Sequence, residues 1–157
     1  MKKLFEILNK NNLTISFAES MTGGYLSYKL TKNSGASKVF KGAIIAYSND
    51  VKINILNVNK QTIDQHTVVS RQVSEQLVLG LKKQIKTNIY VGITGNAGPI
   101  LQANTKKFNG YYTILFNDKL VTEEILFDSS DRIKNIKKTR KIIAKKIMKM
   151  IEDKDEL

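Results

Sequence analysis

Cysteine is absent from this 157-residue chain, and histidine and proline occur once each, as His66 and Pro99. Without cysteine there is no disulfide framework, no thiolate metal site and no thiol nucleophile. A single histidine excludes a zinc cluster built on imidazoles. Acidic residues are scarce, 14 against 26 lysines and arginines, and so scattered that no carboxylate pair suggests a glycosidase or a two-metal centre. No metal and no cofactor are therefore expected. No apolar run approaches the roughly 18 to 20 residues that span a bilayer. The opening MKKLFEILNKNN carries lysines but neither a sustained apolar core nor a small-residue cleavage site, so it does not read as a signal peptide. The expectation is a cytoplasmic protein with no membrane partner.

The shortage of acid leaves a formal net charge of +12. The basic residues are spread along the chain except between Arg132 and Lys149, where nine occur with no acid among them. That run reads either as a solvated helix face or as a surface for a polyanion. Weak, non-specific and salt-sensitive attraction to polyanions follows from both.

The length suits one domain, residues 1–157, with a core of its own. Leu4, Phe5 and Leu8 predict a helix over Lys2–Asn11, and Leu13–Ala18 predicts a strand. A second helix is expected from about Thr22, with Leu26 and Leu30 on one face, broken by Asn33-Ser34-Gly35. Val39–Tyr47 is β-rich. Ser48-Asn49-Asp50 is a helix-start cluster leading into Val51–Leu56, and a short helix is expected over Lys60–His66. Ser70 suits an N-cap for a helix carrying Val73, Leu77, Leu81 and Ile85. Asn88–Ile93 has the continuous apolar character of a strand buried on both faces. Thr94–Asn109 is expected to be a loop. Tyr111–Phe116 and Leu120–Phe127 flank Asn117-Asp118, a hairpin signal. A last helix, Asp131–Ile151, aligns Ile136, Ile143, Ile147 and Met150. This alternation predicts an α/β fold with a central mixed sheet and helices on both faces.

Three polar segments then fall at strand ends, where such sheets hold ligands: Glu19–Gly24, Tyr47–Lys52 and Thr94–Pro99. In the first, Thr22-Gly23-Gly24 reads as the opening of a helix, where glycine lets a ligand approach free backbone N–H groups and the dipole favours an oxyanion. Ser20 stands where a nucleophile would use those donors, and equally where a hydroxyl simply caps the helix. Glu19 either orients this elbow or is an ordinary polar strand end. A serine nucleophile needs a base. His66 lies in what reads as an exposed helix end, so the remaining type is a lysine whose pKa burial has lowered. Lys52, one turn into a helix at another strand end, is one candidate among many lysines. The third segment, GITGNAGP, is glycine-rich but fits neither GxxxxGK[ST] nor GxGxxG, leaving a phosphate cradle and an ordinary turn both open.

Taken together, AESMTGG (Ala18–Gly24), FKGAIIAYSNDVKINILNV (Phe40–Val58), VSRQV (Val69–Val73) and GITGNAGP (Gly92–Pro99), in this order and spacing, resemble the CinA C-terminal-domain family. Its members include nicotinamide-nucleotide amidases, standing alone or fused to a further N-terminal domain. The resemblance implies an α/β fold, self-association, and metal-free hydrolysis of nicotinamide mononucleotide to nicotinate mononucleotide and ammonia, with a small pyridine nucleotide as partner. It assigns the catalytic pair to Ser20 and Lys52. It implies oxyanion donors around Thr22, Gly23 and Gly24, and pocket positions at Glu19, Tyr47, Ser48, Asn49, Thr94, Gly95 and Gly98. SSDR resembles the family's GDR, which would bring Arg132 to an anionic group. Three departures stand out: Met21 replaces a usual cysteine, serine replaces the glycine of GDR, and ILQANTKKFNG replaces a more glycine-rich loop with a KPVG-like run. Of that pattern Gly98, Pro99, Lys107 and Gly110 remain. Two alternatives stay open beside the amidase: a nucleotide-binding relative with impaired catalysis, and a basic nucleic-acid-associated protein.

Overall fold

The computed structural model describes residues 1–102 and 105–155. Burial along the strands follows from their place in the sheet. The strands β1 (Ile15–Glu19) and β3 (Ile89–Asn96) are buried almost throughout, while β2 (Phe40–Ile45) and β5 (Lys119–Phe127) mix exposed and half-buried positions. Continuous apolar runs belong in interior strands covered on both faces, and mixed ones at edges. The five-stranded order is β2-β1-β3-β4-β5, with β4 spanning Phe108–Phe116. β1 runs parallel to β2 and β3, and β3, β4 and β5 are antiparallel in turn, which makes the sheet mixed as expected. Asn117 and Asp118 both take positive φ, the two-residue hairpin turn that their side chains tolerate.

Helices cover both faces. On one side, α1 (Lys2–Lys10), α2 (Tyr25–Thr31) and α6 (Arg132–Asp155) bring Leu4, Leu8, Leu26, Leu30, Ile143 and Ile147 against Ile15, Phe17, Val91 and Ile114. On the other, α3 (Asn49–Asn54), α4 (Lys60–His66) and α5 (Arg71–Gln84) frame a second cluster, with Leu56, Val73, Leu77 and Leu81 against Ala18, Ala46 and Tyr90. A fully buried leucine contributes about 1.5–3 kcal/mol over an exposed one, far more than propensity differences of a few tenths per residue. A short 3₁₀ turn, Ala36–Lys38, leads into β2.

Two segments near the strand ends differ from expectation, each for a local reason. The second helix starts at Tyr25, not Thr22, because Gly23 and Gly24 turn at φ +55° and +94°, which a right-handed helix cannot contain. The expected loop from Thr94 is shorter at both ends. β3 continues to Asn96 and pairs with β4 through Thr94–Tyr111, Gly95–Gly110 and Asn96–Asn109. Glycine weakens a strand by propensity, but here it admits a neighbour: a Cβ on Gly95 would lie 2.5 Å from the Met21 sulfur. Ala103 and Asn104, within the expected loop, lie outside the described residues.

Candidate active site

β1 leaves the sheet between its two parallel neighbours, and the ends of β1, β2 and β3 meet at this topological switch point. Ser20 follows β1 directly, its N–H donating to the Ile93 carbonyl at 3.1 Å, so the nucleophile candidate is tied to β3. The turn after it is closed by Gly23 N–H to Ser20 O (3.0 Å) and Tyr25 N–H to Thr22 O (2.9 Å). Glu19 is wholly buried, and its carboxylate accepts from the N–H groups of Gly24 (3.1 Å), Leu26 (3.2 Å) and Ser27 (2.9 Å) and from the Ser27 hydroxyl (2.6 Å). The start of α2 is therefore satisfied internally by an anion of the chain itself. Glu19, Gly23 and Gly24 use their polar groups to build the elbow, and neither they nor the Thr22 side chain line the cavity described below. The amides of Met21 and Thr22 have no acceptor among the described residues.

Lys52 reaches the site from the other side of β1. Ser48 caps α3 by accepting from Val51 N–H at 3.2 Å, which starts the helix one turn before Lys52. The Ser48 side chain is thus used in capping and does not line the pocket. Lys52 is only 1% exposed, and its ammonium donates to Ser20 Oγ at 3.0 Å, Ala46 O at 2.7 Å and Tyr47 O at 3.2 Å. All three partners are neutral oxygens. Burial without a carboxylate disfavours the charged form and lowers the pKa to about 8. A lysine so placed holds its proton less tightly than one in water, and the group that points at it is a serine hydroxyl.

The pair opens into a cavity of about 310 Å³, at the small end for a ligand site. Tyr47, Asn49, Thr94, Gly95 and Arg132 line it. Arg132, the first residue of α6, donates to Gly98 O at 2.8 Å and to the Tyr47 hydroxyl at 2.9 Å. Gly98 stands outside the wall and holds the arginine by its carbonyl. Asn135 donates to Ala97 O (2.9 Å) and Ser129 O (2.7 Å), fixing the same loop to α6.

Four lining residues escaped the sequence reading: Met21, Val68, Asn96 and Gln102. Asn96 stood inside GITGNAGP and Met21 beside the motif serine, so both were within reach. Asn96 folds the loop after β3, accepting from Gly98 N–H at 3.0 Å and donating to Ile100 O at 2.9 Å. Val68 and Gln102 carried no local signal. Ile100, the first residue of the altered loop, is 81% exposed to solvent. Lys107 is turned away to Glu124 at 2.6 Å. His66 is exposed at the end of α4. No group of three His, Cys, Asp or Glu able to hold a metal occurs among the described residues. A larger hollow of about 520 Å³ along the start of α6, among Asp131, Lys134, Lys138 and Lys141, shares no residue with the Ser20–Lys52 cavity.

Fold and site together define an α/β domain with a buried serine–lysine pair at a sheet switch point. The family model described as the CinA C-terminal domain matches residues 1–151, and the chain belongs to that family. A CinA-like protein of Petrotoga mobilis is 42% identical over 73% of this chain and 29% of its own length. A Bacillus subtilis putative competence-damage inducible protein is 37% identical over 98% and 37%. The chain thus spans about a third of these two relatives, but 91% of a Mycoplasma pneumoniae relative that is 36% identical over 94% of this chain. In fold it matches the crystal structure of a competence or damage-inducible protein from Enterobacter asburiae, with a TM-score of 0.90 and 24% identity over 96% of this chain and 94% of that one. No helix among the described residues is long and apolar enough to cross a membrane.

Proposed function

We propose that this protein hydrolyses the carboxamide of nicotinamide mononucleotide, giving nicotinate mononucleotide and ammonia, with Ser20 as nucleophile and Lys52 as base. The observation that carries this reading is the 3.0 Å contact between Ser20 Oγ and a buried Lys52 Nζ that has no carboxylate partner among the described residues. With a pKa of about 8, about one Lys52 in ten is neutral at pH 7. The neutral amine takes the Ser20 proton as Oγ bonds to the carboxamide carbon. The resulting ammonium returns that proton to the departing amide nitrogen, and ammonia leaves an acyl ester on Ser20. Lys52 then deprotonates a water, which attacks the ester carbon. The nicotinate carboxylate leaves and Ser20 recovers its proton. The unpartnered Met21 and Thr22 amides are the donors nearest in sequence to Ser20 for the oxyanion, in place of Gly23 and Gly24. The exposed part of Arg132 suits the substrate phosphate.

The test is ammonia release from nicotinamide mononucleotide by the purified protein and by Ser20→Ala. Release is expected in the parent and loss of at least about a thousandfold in the variant. Undiminished release in Ser20→Ala would remove the nucleophile assignment. Tight nucleotide binding without release would favour the impaired, nucleotide-binding relative.

A further inference from the structure

Thr67 joins α4 to the segment that leads into α5, and its backbone lies at φ +68°, ψ 164°. Extended backbone with positive φ is a region almost confined to glycine, and a β-branched residue there is a strong outlier. The surrounding bonds explain how it is held. The Thr67 hydroxyl donates to Val69 O at 3.2 Å, and the Ser70 hydroxyl donates to Thr67 O at 3.0 Å. Ser70 also caps α5 by accepting from Val73 N–H at 3.3 Å. Thr94 Oγ1, almost wholly buried, donates to Val68 O at 2.7 Å, which ties the turn to the end of β3. Val69 points into the protein and is buried, while Val68 lines the Ser20–Lys52 cavity. Most residues of that cavity are polar, and Val68 and Met21 are the aliphatic residues on its wall among the described residues.

We propose that Val68 is a specificity-determining residue, an apolar wall for the heteroaromatic ring that carries the carboxamide, and that Thr67 is its positioning residue, whose left-handed turn keeps Val68 in the cavity. This rests on Ser20 being the nucleophile and deepens the amidase reading by naming what selects the ring.

The experiment compares benzenesulfonyl fluoride with methanesulfonyl fluoride, two reagents that sulfonylate an active serine by displacing fluoride and differ in the ring. Rates of Ser20 modification are followed by intact mass, with nicotinamide mononucleotide hydrolysis measured in parallel. Val68→Thr keeps the shape but places a hydroxyl in the wall, and it is expected to lower the ring-to-methyl rate ratio about threefold to tenfold. Thr67→Pro, which fixes φ near −65°, is expected to lower it similarly. Thr67→Gly adopts the native turn without strain and is expected to keep the parent's ratio while raising Tm by roughly 3 °C or more. Loss of selectivity in Val68→Thr at unchanged Tm separates ring recognition from damage to the fold. An unchanged ratio in Val68→Thr overturns the proposal even if the mononucleotide is hydrolysed. An altered ratio without mononucleotide hydrolysis upholds the ring wall and rejects the substrate. Absence of Ser20 modification in the parent counts against both.

Discussion

The strand-end cavity and the outer face of α6 both present lysine, and the same side chain has opposite chemistry in the two places. Lys52 is buried among three neutral oxygens and its pKa falls to about 8. Lys134, Lys137, Lys141, Lys145 and Lys149 stand in solvent, three or four residues apart on one side of a helix. Water stabilises the charge on the second group and is excluded from the first. The net charge of +12 therefore says little about where a proton is moved. The proposed base is the one lysine that α3 carries inward.

Breaking the buried member of this comparison has the largest expected effect. Lys52→Met fills the site with a side chain of similar length and no amine, and kcat is expected to fall about 10²–10⁴-fold. In the parent, kcat/KM is expected to rise with pH and level off above about 8, as Lys52 loses its proton. The remaining activity of Lys52→Met should lack that rise. A parent profile flat from pH 6 to 9 would contradict Lys52 as the base.

The same shift appears in stability, with a definite sign. Below pH 8 the lysine is charged in both folded and unfolded chains, and its desolvation opposes folding in full. Between pH 8 and 10.5 the folded protein has released the proton that the unfolded chain still holds, so folding stability rises with pH across that window. The gain relative to Lys52→Met amounts to ~3 kcal/mol at most. Denaturant unfolding of both proteins at pH 7.5 and 10.5 measures it. A parent that loses stability relative to the variant would show that Lys52 is not desolvated.

A smaller effect tests the support behind Ser20. Glu19→Gln puts an amide where a carboxylate accepts four hydrogen bonds, leaving α2's first N–H groups incompletely paired. A cost of about 1–3 kcal/mol in unfolding free energy is expected, together with reduced turnover because the elbow loosens. Glu19 also shows where sequence reading ran short. The strand, the elbow and the helix were all legible from Ser16 to Leu30, since an apolar run, two glycines and a periodic pattern are local signals. The direction of the Glu19 side chain was not, because it depends on Gly23 and Gly24 turning left-handed and exposing helix donors to the preceding residue. Likewise YSNDVK marked Lys52 as unusual, but its contact with Ser20, 32 residues away, depends on β1 and β2 being neighbours. Val68 carried no local mark at all: its place on the wall is set by the backbone of Thr67 and by a hydrogen bond from Thr94, 26 positions on.

Removing charge from the exposed face is expected to leave turnover within about twofold, since among the described residues α6 meets the cavity only through Arg132. The combined variant Lys137→Gln, Lys141→Gln and Lys145→Gln retains the buried stripe of Ile143, Ile147 and Met150 and should fold as the parent does. What it should lose is general affinity for polyanions. Each lysine that neutralises a duplex phosphate contributes about 0.9 to the slope of log K against log salt, so the triple variant should flatten that slope by up to about 2.7. Fluorescence anisotropy with a 20-base-pair duplex of arbitrary sequence, titrated with salt, measures this directly. If affinity in the parent is gone by ~200 mM salt and follows no sequence, the face attracts counter-charge and nothing more. Sequence-dependent binding that persists above that concentration would instead make the α6 face a second functional surface, independent of the serine–lysine pair.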